Sequence, residues 1–271
     1  MNPDFLQTLT VDQYPFDPQY AKRLRSFFSD GLIRPFSDGE ISELKHVTFA
    51  PLLFGNRSGS NLLTESLHRA GLGFPEHGEP LNVPSIENIA ARHDLTTFTD
   101  YFLFLSRRWK QHNVVGFKLG IGQLFELTRL GLLDHFAEIK LLHSVRRDRL
   151  AQAVSHYIAK ASGDWSTKSE NRSALEIPYS AKDILQYLRR GARLRADFDL
   201  YQTIHGVPSL EVWYEDFVAK PQQHVEAIAS FLGCRADVSK VNLQSASTQP
   251  QRGDLNHQFE RRFRQEMQEL H

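Results

Sequence analysis

Short apolar runs alternate along this chain with longer stretches in which apolar residues recur at helical spacing. Apolar runs at 47–54, 114–118, 139–145 and 209–214 predict four buried β-strands. Helical spacing predicts helices at 18–29, 62–70, 86–91, 95–110, 123–130, 149–161, 181–203, 222–232 and 257–270. Because strands that alternate with helices of this length form a parallel sheet covered on both faces, the pattern predicts an α/β fold.

The first part of the chain differs in composition from the rest. Residues 1–40 contain four prolines, at positions 3, 15, 18 and 35, together with several aromatic residues. We therefore predict an N-terminal extension at 1–40 and a single folded domain at 41–271. The extension could cover the domain surface or act as a dimer arm, and the sequence leaves both alternatives open.

Charge and cysteine content narrow the function classes. The 32 Lys and Arg residues equal the 32 Asp and Glu residues, so no global field attracts nucleic acid and any anion site must be local. The single cysteine excludes an internal disulfide and a cysteine-based metal cluster, and the histidines lack metal-site spacing. No signal peptide and no apolar run of roughly 18 residues is seen. We expect a cytoplasmic protein without a transmembrane segment, which leaves peripheral membrane contact open.

The turn between the first strand and its helix is a candidate anion site. It reads Gly55-Asn56-Arg57-Ser58-Gly59-Ser60, and Asn61 follows. Such a turn directs backbone N–H groups and the positive end of a helix dipole at one point, and Arg57 adds a full charge. A Walker A loop would place Gly-Lys-Ser/Thr where this chain has Gly59-Ser60-Asn61, which argues against ATP or GTP hydrolysis. An ordinary strand-to-helix turn is the alternative.

A second candidate anion site follows the third strand. Arg146 lies just beyond the strand, and Ser155, nine residues later, falls on the next helix, where it can point back. Solvated charges at a helix start are the alternative explanation. Basic residues at a helix N-terminus oppose the helix dipole, however, and a bound anion would resolve that conflict.

Three further segments carry candidate functional residues. The loop at 73–85 holds Glu76, His77 and Glu79, any of which could accept a proton from a hydroxyl group, although these residues alone favour a solvated acidic loop. Lys118 ends a buried strand and needs an anion or solvent. Arg252 lies on a polar loop and could clamp a phosphate, and an exposed basic loop is an equally good explanation. In a parallel sheet, ligands bind beyond the carboxyl ends of the strands, which predicts one crevice lined by 55–61, 118–123, 143–149 and 214–217.

Taken together, these motifs resemble the PAPS-dependent sulfotransferases, where PAPS is 3′-phosphoadenosine 5′-phosphosulfate. The resemblance is closest to the bacterial carbohydrate group that includes trehalose 2-sulfotransferase and the nodulation-factor enzymes. The matching segments are Arg57-Ser58-Gly59-Ser60-Asn61-Leu62-Leu63, Gly78-Glu79-Pro80-Leu81-Asn82, Val115-Gly116-Phe117-Lys118, Arg146 to Ser155 with Trp165, Tyr214-Glu215-Asp216, and Gln251-Arg252-Gly253-Asp254-Leu255-Asn256. Asn61 replaces the usual threonine, and Phe259 stands where a tryptophan is common.

The resemblance implies a single-domain, P-loop-like, three-layer α/β/α fold that transfers a sulfuryl group from PAPS without a metal. It implies that Arg57, Ser58, Gly59, Ser60 and Asn61 hold the 5′-phosphosulfate. It further implies that Arg146, Ser155 and Arg252 bind the 3′-phosphate.

The resemblance also selects Glu79 as the general base that deprotonates an acceptor hydroxyl in line with the S–O bond. Lys118 would steady the sulfate or the acceptor, and Arg57 would neutralise the leaving oxygen. The expected acceptor is a carbohydrate or a glycolipid, and a homodimer would be in keeping with the family. A nucleotide or sugar kinase with a P-loop-type start and a non-catalytic PAP- or PAPS-binding protein are the alternatives.

Overall fold

The computed structural model describes residues 17–28, 31–163, 177–247 and 253–269. Its helices are α1 (Pro18–Phe27), α2 (Asp38–Leu44), α3 (Ser60–Arg69), α4 (Val83–Arg92), α5 (Phe98–Trp109), α6 (Ile121–Arg129), α7 (Arg149–Ser162), α8 (Ala181–His205), α9 (Tyr214–Ala219), α10 (Pro221–Leu232) and α11 (Asp254–Gln268), with a 3-10 turn at Val238–Lys240. Its strands are β1 (Thr48–Phe49), β2 (Leu52–Phe54), β3 (Val114–Val115), β4 (Lys118–Leu119), β5 (Glu138–Ile139), β6 (Leu141–Val145) and β7 (Ser209–Trp213).

All strand pairs in the described chain are parallel. One group has the order β3-β1-β5 and the other β4-β2-β6-β7. Pro51, which has no N–H to donate, separates β1 from β2. The backbone bonds nevertheless continue past this break: Leu52 N donates to Phe117 O at 2.8 Å and Lys140 N donates to Phe49 O at 2.9 Å. The two groups therefore form one sheet with a locally interrupted ladder.

The sheet is buried on both faces. Phe49 and Leu53 pack into one hydrophobic cluster with helices α5, α6 and α8. Ala50 and Leu52 point the other way, into a second cluster with α3 and α10. Alternate residues of a strand point to opposite faces, so one strand supplies both clusters. This arrangement confirms the predicted single-domain α/β fold with a central parallel sheet and helices on both sides.

The four predicted strand regions all appear in the structure, and each of the first three is divided into two short strands. Predicted helices agree to within a few residues at most ends. Helix α2 was missed, although its signal is present, because Ser37 and Glu40 form a capping box in which each side chain bonds the other's backbone N–H. The short helix α9 was also missed, since its six residues are too few to show a helical period.

Part of the predicted N-terminal extension packs on the domain. Tyr20 and Leu24 of α1 belong to the same buried cluster as β1 and α5. The Tyr20 hydroxyl donates to Leu81 O at 2.9 Å. Helix α2 spans the boundary that we placed at residue 40. The described part of the extension is thus joined to the domain core, and the functional division at residue 40 stays a prediction.

We predict that Gly116→Ala lowers the free energy of unfolding by about 1–3 kcal/mol, the usual cost of overpacking. A β-carbon at Gly116 would lie 2.2 Å from Phe74 Cζ and 2.6 Å from Ala50 O. Gly191→Ala is the matched control, because a β-carbon at that helical position meets nothing within 4 Å. It should raise stability by about 0.5–1 kcal/mol. Urea unfolding measures both variants, and equal effects would contradict the prediction.

Candidate active site

The sheet order places a topological switch point between β2 and β6. The chain leaves β2, returns to pair on one side of it through β4, and then crosses to pair on its other side through β6. Connections on opposite sides of the sheet leave a crevice beyond the carboxyl ends of these two strands. The loop 55–59 after β2 and the segment 146–148 after β6 both lie at this point.

The loop after β2 depends on two residues with left-handed backbone conformation. Arg57 has φ 65° and Gly59 has φ 88°. At Gly59 the conformation and the packing both exclude a side chain, because a β-carbon would lie 2.2 Å from Cδ2 of Tyr214. The Tyr214 ring therefore packs directly on the loop backbone. Gly59 is followed at once by Ser60, the first residue of α3.

The N-terminus of α3 lacks a capping side chain. Gly59 provides no side-chain cap, and the first N–H groups of a helix have no partner within the helix. These groups carry the positive end of the helix dipole, about half an elementary charge. The structure thus gives the segment 58–61 the backbone arrangement expected of an anion-binding turn.

The two candidate anion motifs are in direct contact. Arg57 Nε donates to Ser155 Oγ at 3.0 Å, and an Arg146 Nη1 donor lies 3.3 Å from the Arg57 carbonyl oxygen. Gln152 Nε2 donates to Asn56 O at 2.9 Å. The start of α7 therefore holds the loop after β2 from one side. The sequence placed these motifs near one another, and it did not indicate that Arg57 and Ser155 would bond.

The other loop contacts come from β6 and from buried groups of α7. Ser144 Oγ donates to Ser58 Oγ at 3.1 Å, and Ser58 is buried. The Ser58 hydroxyl therefore fixes the loop to the sheet. Asn56 Nδ2 lies 3.1 Å from His156 Nε2. A neutral imidazole that accepts this hydrogen bond continues the same network.

Arg146 is held between an aromatic ring and a carboxylate. Its guanidinium carbon lies 5.0 Å from the centre of the Tyr214 ring, and its Nε lies 3.9 Å from Glu215 Oε1. The buried Nε makes no hydrogen bond in the described part of the chain. Glu215 accepts instead from the backbone N of Arg147 at 3.1 Å. A buried donor without a partner is costly, so this nitrogen is a plausible contact for an anionic ligand.

Glu79, Lys118 and Asn61 form a cluster beside the loop. The Lys118 ammonium lies 2.9 Å from Glu79 Oε1 and also bonds the Asn61 side-chain oxygen. The side chain of Lys118 is only 5% exposed, whereas that of Glu79 is 29% exposed. The sequence predicted that Lys118, at the end of a buried strand, needs an anion or solvent. In the structure the Glu79 carboxylate is that anion. Three residues predicted from separate segments thus converge.

The backbone after Glu79 is fixed by buried tyrosines. Tyr20 donates to Leu81 O at 2.9 Å, and Tyr101 donates to Pro80 O at 2.5 Å. Burial raises the pKa of both phenols, so each stays a protonated donor. Gln123 Nε2 also donates to Leu81 O, at 2.9 Å. Asn82 completes the turn by donating to Glu79 Oε2 at 2.5 Å.

Glu76 and His77 lie apart from this cluster. Their side chains are 49% and 56% exposed, and His77 Nε2 is 3.9 Å from Glu76 Oε1. Neither residue lines the cavity described next, whereas Glu79 does. Of the three candidate bases in this loop, Glu79 is the one placed beside Lys118 and the crevice.

A cavity of about 620 Å³ occupies the crevice. Three of the four predicted segments contribute to it, through Gly55 and Asn56, residues 120–123, and residues 143–146 with Arg149. The fourth segment, 214–217, does not line it, because Tyr214 packs beneath Gly59 instead. Helix α8 supplies the opposite wall with residues that the sequence did not indicate, including Tyr187, Arg190 and Arg195.

Two predicted functional residues, Trp165 and Arg252, lie outside the described residues. The chain leading toward Arg252 is anchored up to Ser247. The Ser247 backbone N donates to both carboxylate oxygens of Glu65, at 3.0 and 3.1 Å, and Glu65 is buried on α3. On the far side, Asn256 is buried and accepts from the Gly253 N at 3.2 Å.

Comparison with models of known protein families assigns the chain to a family. The family model described as Stf0 sulphotransferase matches residues 125–266, slightly more than half of the 271-residue sequence. The chain belongs to the Stf0 sulphotransferase family. It is therefore a sulfotransferase, which moves a sulfuryl group to an acceptor, and the prediction of this enzyme class is confirmed. The family assignment favours this class over a kinase or a non-catalytic binding protein. The matched region contains Arg146 and Ser155 but neither the loop 55–61 nor Glu79.

Solved structures similar to this Stf0 sulphotransferase are distant. The sulfotransferase domain of the Synechococcus PCC 7002 olefin synthase is 19% identical, with a TM-score of 0.46 over 80% of this chain and 87% of that chain. A sulfotransferase from Alicyclobacillus acidocaldarius is 19% identical, with a TM-score of 0.41 over 81% and 92%. Mouse sulfotransferase SULT7A1, complexed with PAP, is 14% identical, with a TM-score of 0.45 over 94% and 89%. The family assignment rests on the family model alone.

No curated protein sequence matches the chain significantly. Within the described residues, no helix is both long enough and apolar enough to cross a membrane.

The described residues contain no group of three or more His, Cys, Asp and Glu side chains arranged to hold a metal ion.

Two buried histidines that line the cavity should make stability pH-dependent. Burial, with Arg195 and Arg149 adding to it, lowers the pKa of His143 to about 3. Burial, with Arg190, Arg57 and Lys160, lowers the pKa of His156 to about 4. Both values lie below the ordinary 6.5, so the unfolded chain binds more protons than the folded chain as pH falls from 6.5. Stability is present above pH 6.5 and is lost on acidification.

We predict that His156→Gln flattens this dependence between pH 6.5 and pH 5, because each neutral histidine contributes up to about 1.4 kcal/mol per pH unit. Glutamine keeps an acceptor for Asn56. His46→Gln, at an exposed position before β1, is the control and should leave the slope unchanged. Urea unfolding at several pH values measures the slopes. Equal slopes for His156→Gln and the parent protein would refute the prediction.

Proposed function

We propose that the chain transfers the sulfuryl group of PAPS to a hydroxyl group of a carbohydrate or glycolipid acceptor, with Glu79 as general base. The observation that carries this proposal is the Glu79–Lys118–Asn61 cluster. It joins a partly exposed carboxylate, 2.9 Å from Lys118 Nζ, to the first turn of α3. A base and an anion-binding turn within one hydrogen-bonded cluster suit transfer between an anionic donor and a neutral hydroxyl.

The 5′-phosphosulfate of PAPS is proposed to lie on the loop and the start of α3. Backbone N–H groups of Gly59, Ser60 and Asn61 would bind its oxygens, together with the Ser60 hydroxyl. The Ser58 N–H donates to Gly55 O at 3.1 Å, so Ser58 shapes the turn. The N-terminus of α3 supports this placement, because Gly59 provides no side chain to cap its first N–H groups. Preorganised donors of this kind stabilise the charge that develops during transfer.

The 3′-phosphate is proposed to bind Arg146 and Ser155, with Arg252 closing over it. The buried Arg146 Nε without a hydrogen bond supports a ligand at this position. Arg57 contacts Ser155 in this structure and would also neutralise charge on the bridging oxygen. A guanidinium carries several N–H donors in a rigid fork, so one arginine can contact both groups.

The transfer step follows from this placement. The acceptor hydroxyl oxygen forms a bond to sulfur as the bond from sulfur to the bridging oxygen of the 5′-phosphate breaks. Glu79 takes the hydroxyl proton, and adenosine 3′,5′-bisphosphate (PAP) leaves with the electron pair of the broken bond. Each carboxylate oxygen has two lone pairs. Glu79 can therefore accept a hydrogen bond from the acceptor hydroxyl while it keeps its ion pair with Lys118 and its hydrogen bond from Asn82. Lys118 would balance negative charge on the transferred group.

The acceptor is proposed to occupy the cavity beyond Glu79. Amide and hydroxyl side chains line this part of the cavity, among them Asn82, Ser85 and Gln123. Such groups pair well with sugar hydroxyls, which both donate and accept hydrogen bonds. This polar lining supports a carbohydrate over an apolar acceptor.

We predict that Glu79→Gln lowers kcat about 100-fold or more, because the amide cannot accept the acceptor proton. The variant should bind PAP like the parent protein. Glu76→Gln is the control, since Glu76 is half exposed and outside the cavity. Labelled PAPS incubated with a glycan-containing extract provides the readout. Loss of transfer in Glu76→Gln with full transfer in Glu79→Gln would show that the wrong base was chosen.

We predict that Arg146→Gln weakens PAP binding about tenfold or more, as expected for loss of a charge-assisted contact to phosphate. Arg147→Gln is the neighbouring control, because the Arg147 guanidinium pairs with Asp216 at 2.6 Å on the exposed side of the segment. Its PAP affinity should stay within about twofold of the parent value. Calorimetric titration with PAP measures both, and equal effects would contradict the assignment of Arg146.

A further inference from the structure

The cavity beyond Glu79 has an excess of positive charge among its described lining residues. Five arginines line it, and they are Arg23, Arg146, Arg149, Arg190 and Arg195. Within the described parts of the chain, two carboxylates face the same space, Asp17 and Glu79. The whole chain has a formal net charge of +0, so this excess is local to the cavity. Clefts lined by charge of one sign attract ligands of the other sign.

The two carboxylates do not neutralise these arginines. Glu79 pairs with Lys118, which is not among the lining residues. Asp17 caps α1, where its side chain accepts from the backbone N of Gln19 and Tyr20, each at 3.0 Å. Both negative charges are therefore engaged by groups other than the lining arginines.

Three of the arginines are available to a ligand. The side chains of Arg23, Arg149 and Arg190 form no hydrogen bond or ion pair with any residue in the described ranges. Arg195 differs, because it pairs with Glu211 and lies 3.2 Å from Asp199. Arg146 belongs to the proposed 3′-phosphate subsite. Arg23, Arg149 and Arg190 come from three different helices, α1, α7 and α8, and all three line this cavity.

His143 adds a buried polar group to the same wall. It lies on β6, is 7% exposed and lines the cavity. Its Nδ1 is buried without a hydrogen-bond partner, although Phe198 stacks on the ring at a centroid distance of 4.2 Å. Burying a polar atom in this way is costly unless a ligand or water satisfies it. The arginines and this nitrogen thus point to a polar occupant.

The arginine cluster is separate from the proposed donor site. Of the residues proposed to hold the phosphosulfate and the 3′-phosphate, Arg146 lines the cavity, whereas Ser60, Asn61 and Ser155 do not. Ser144 and Gln152, which bond the loop after β2, also border the cavity. Glu79 faces the cavity, so a ligand there would lie on the acceptor side of the proposed base.

We infer that the acceptor is an anionic sugar, whose carboxylate or phosphate group binds the cluster formed by Arg23, Arg149 and Arg190. This inference rests on the proposed function, because it assigns the cavity to the acceptor of sulfuryl transfer. Arginine forms paired hydrogen bonds with planar carboxylates and with phosphates, so either group suits the cluster. The sugar hydroxyls would face Glu79, while the charged group would bind the arginines.

The test measures sugar binding to the full chain already saturated with PAP, in a buffer free of phosphate and sulfate. Saturation fills the donor site, so any further anion binding reports on the cavity. Calorimetry compares glucuronate with its uncharged analogue glucuronamide, and glucose 6-phosphate with glucose. We expect each charged sugar to bind at least about tenfold more tightly than its uncharged counterpart, which corresponds to one charge-assisted contact. The two pairs distinguish a carboxylate from a phosphate.

Substitution of single arginines tests whether the cluster causes the tighter binding of charged sugars. Arg149→Gln and Arg190→Gln should each weaken binding of the preferred charged sugar about tenfold, with PAP affinity within about twofold of the parent value. Arg189→Gln is the matched control, because Arg189 is an exposed neighbour on α8 that does not line the cavity. Its affinity for the charged sugar should be unchanged. An equal loss in Arg189→Gln would show a diffuse charge effect and overturn the assignment.

Other outcomes separate this inference from the proposed function. If PAP binds but charged and uncharged sugars bind equally, or neither binds at millimolar concentration, the anionic-acceptor inference is wrong and the sulfotransferase proposal stands. If PAP prevents binding of the charged sugars, the arginines belong to the donor site and the inference is again wrong. If PAP itself fails to bind, the proposed donor site is wrong.

Discussion

The contact between the loop after β2 and the start of α7 determines the geometry of this site. Arg57 bonds Ser155, Arg146 bonds the Arg57 carbonyl, and Gln152 bonds the Asn56 carbonyl. These contacts exist because β2 and β6 are neighbours in a parallel sheet, so the segments that follow them leave at the same edge. A loop with left-handed residues at 57 and 59 would otherwise be free to adopt many conformations. The interlock orders the turn that is proposed to bind the anion.

The second organising feature is the buried ammonium of Lys118. A charge that is 95% shielded from solvent must be paired, and here the partners are Glu79 and the side chain of Asn61. The pair connects the loop that carries the proposed base to the helix that carries the proposed donor site. Tyr20, from the region predicted as an extension, holds the backbone of the same loop. The N-terminal region thus contributes to the site as well as to the core.

Much of the fold was readable in the sequence, because apolar periodicity records burial directly. The strand regions around 47–54 and 139–145 and the long helix α8 were predicted from this pattern alone. Short elements were harder to predict. Helix α9 has six residues, and the breaks inside the first three strand regions follow from local features such as Pro51 that periodicity averages over. Charged residues at or near the ends of the apolar runs could also be identified, because a charge there interrupts the apolar pattern. Arg57, Glu79, Lys118 and Arg146 were chosen as candidates in this way and by their place in the motifs.

The sequence by itself determined the class of the fold, the order of its longer elements and the candidate residues within its motifs, since these depend on local composition and spacing. Only the tertiary structure decided which candidates meet. It brought Glu79 to Lys118 across 39 positions, left Glu76 exposed, and joined Arg57 to Ser155 across 98 positions. It also revealed the arginines of α1, α7 and α8 around one cavity. Such groupings depend on how strands and helices pack, and the distance between two residues in the folded chain is not encoded in the spacing of either motif.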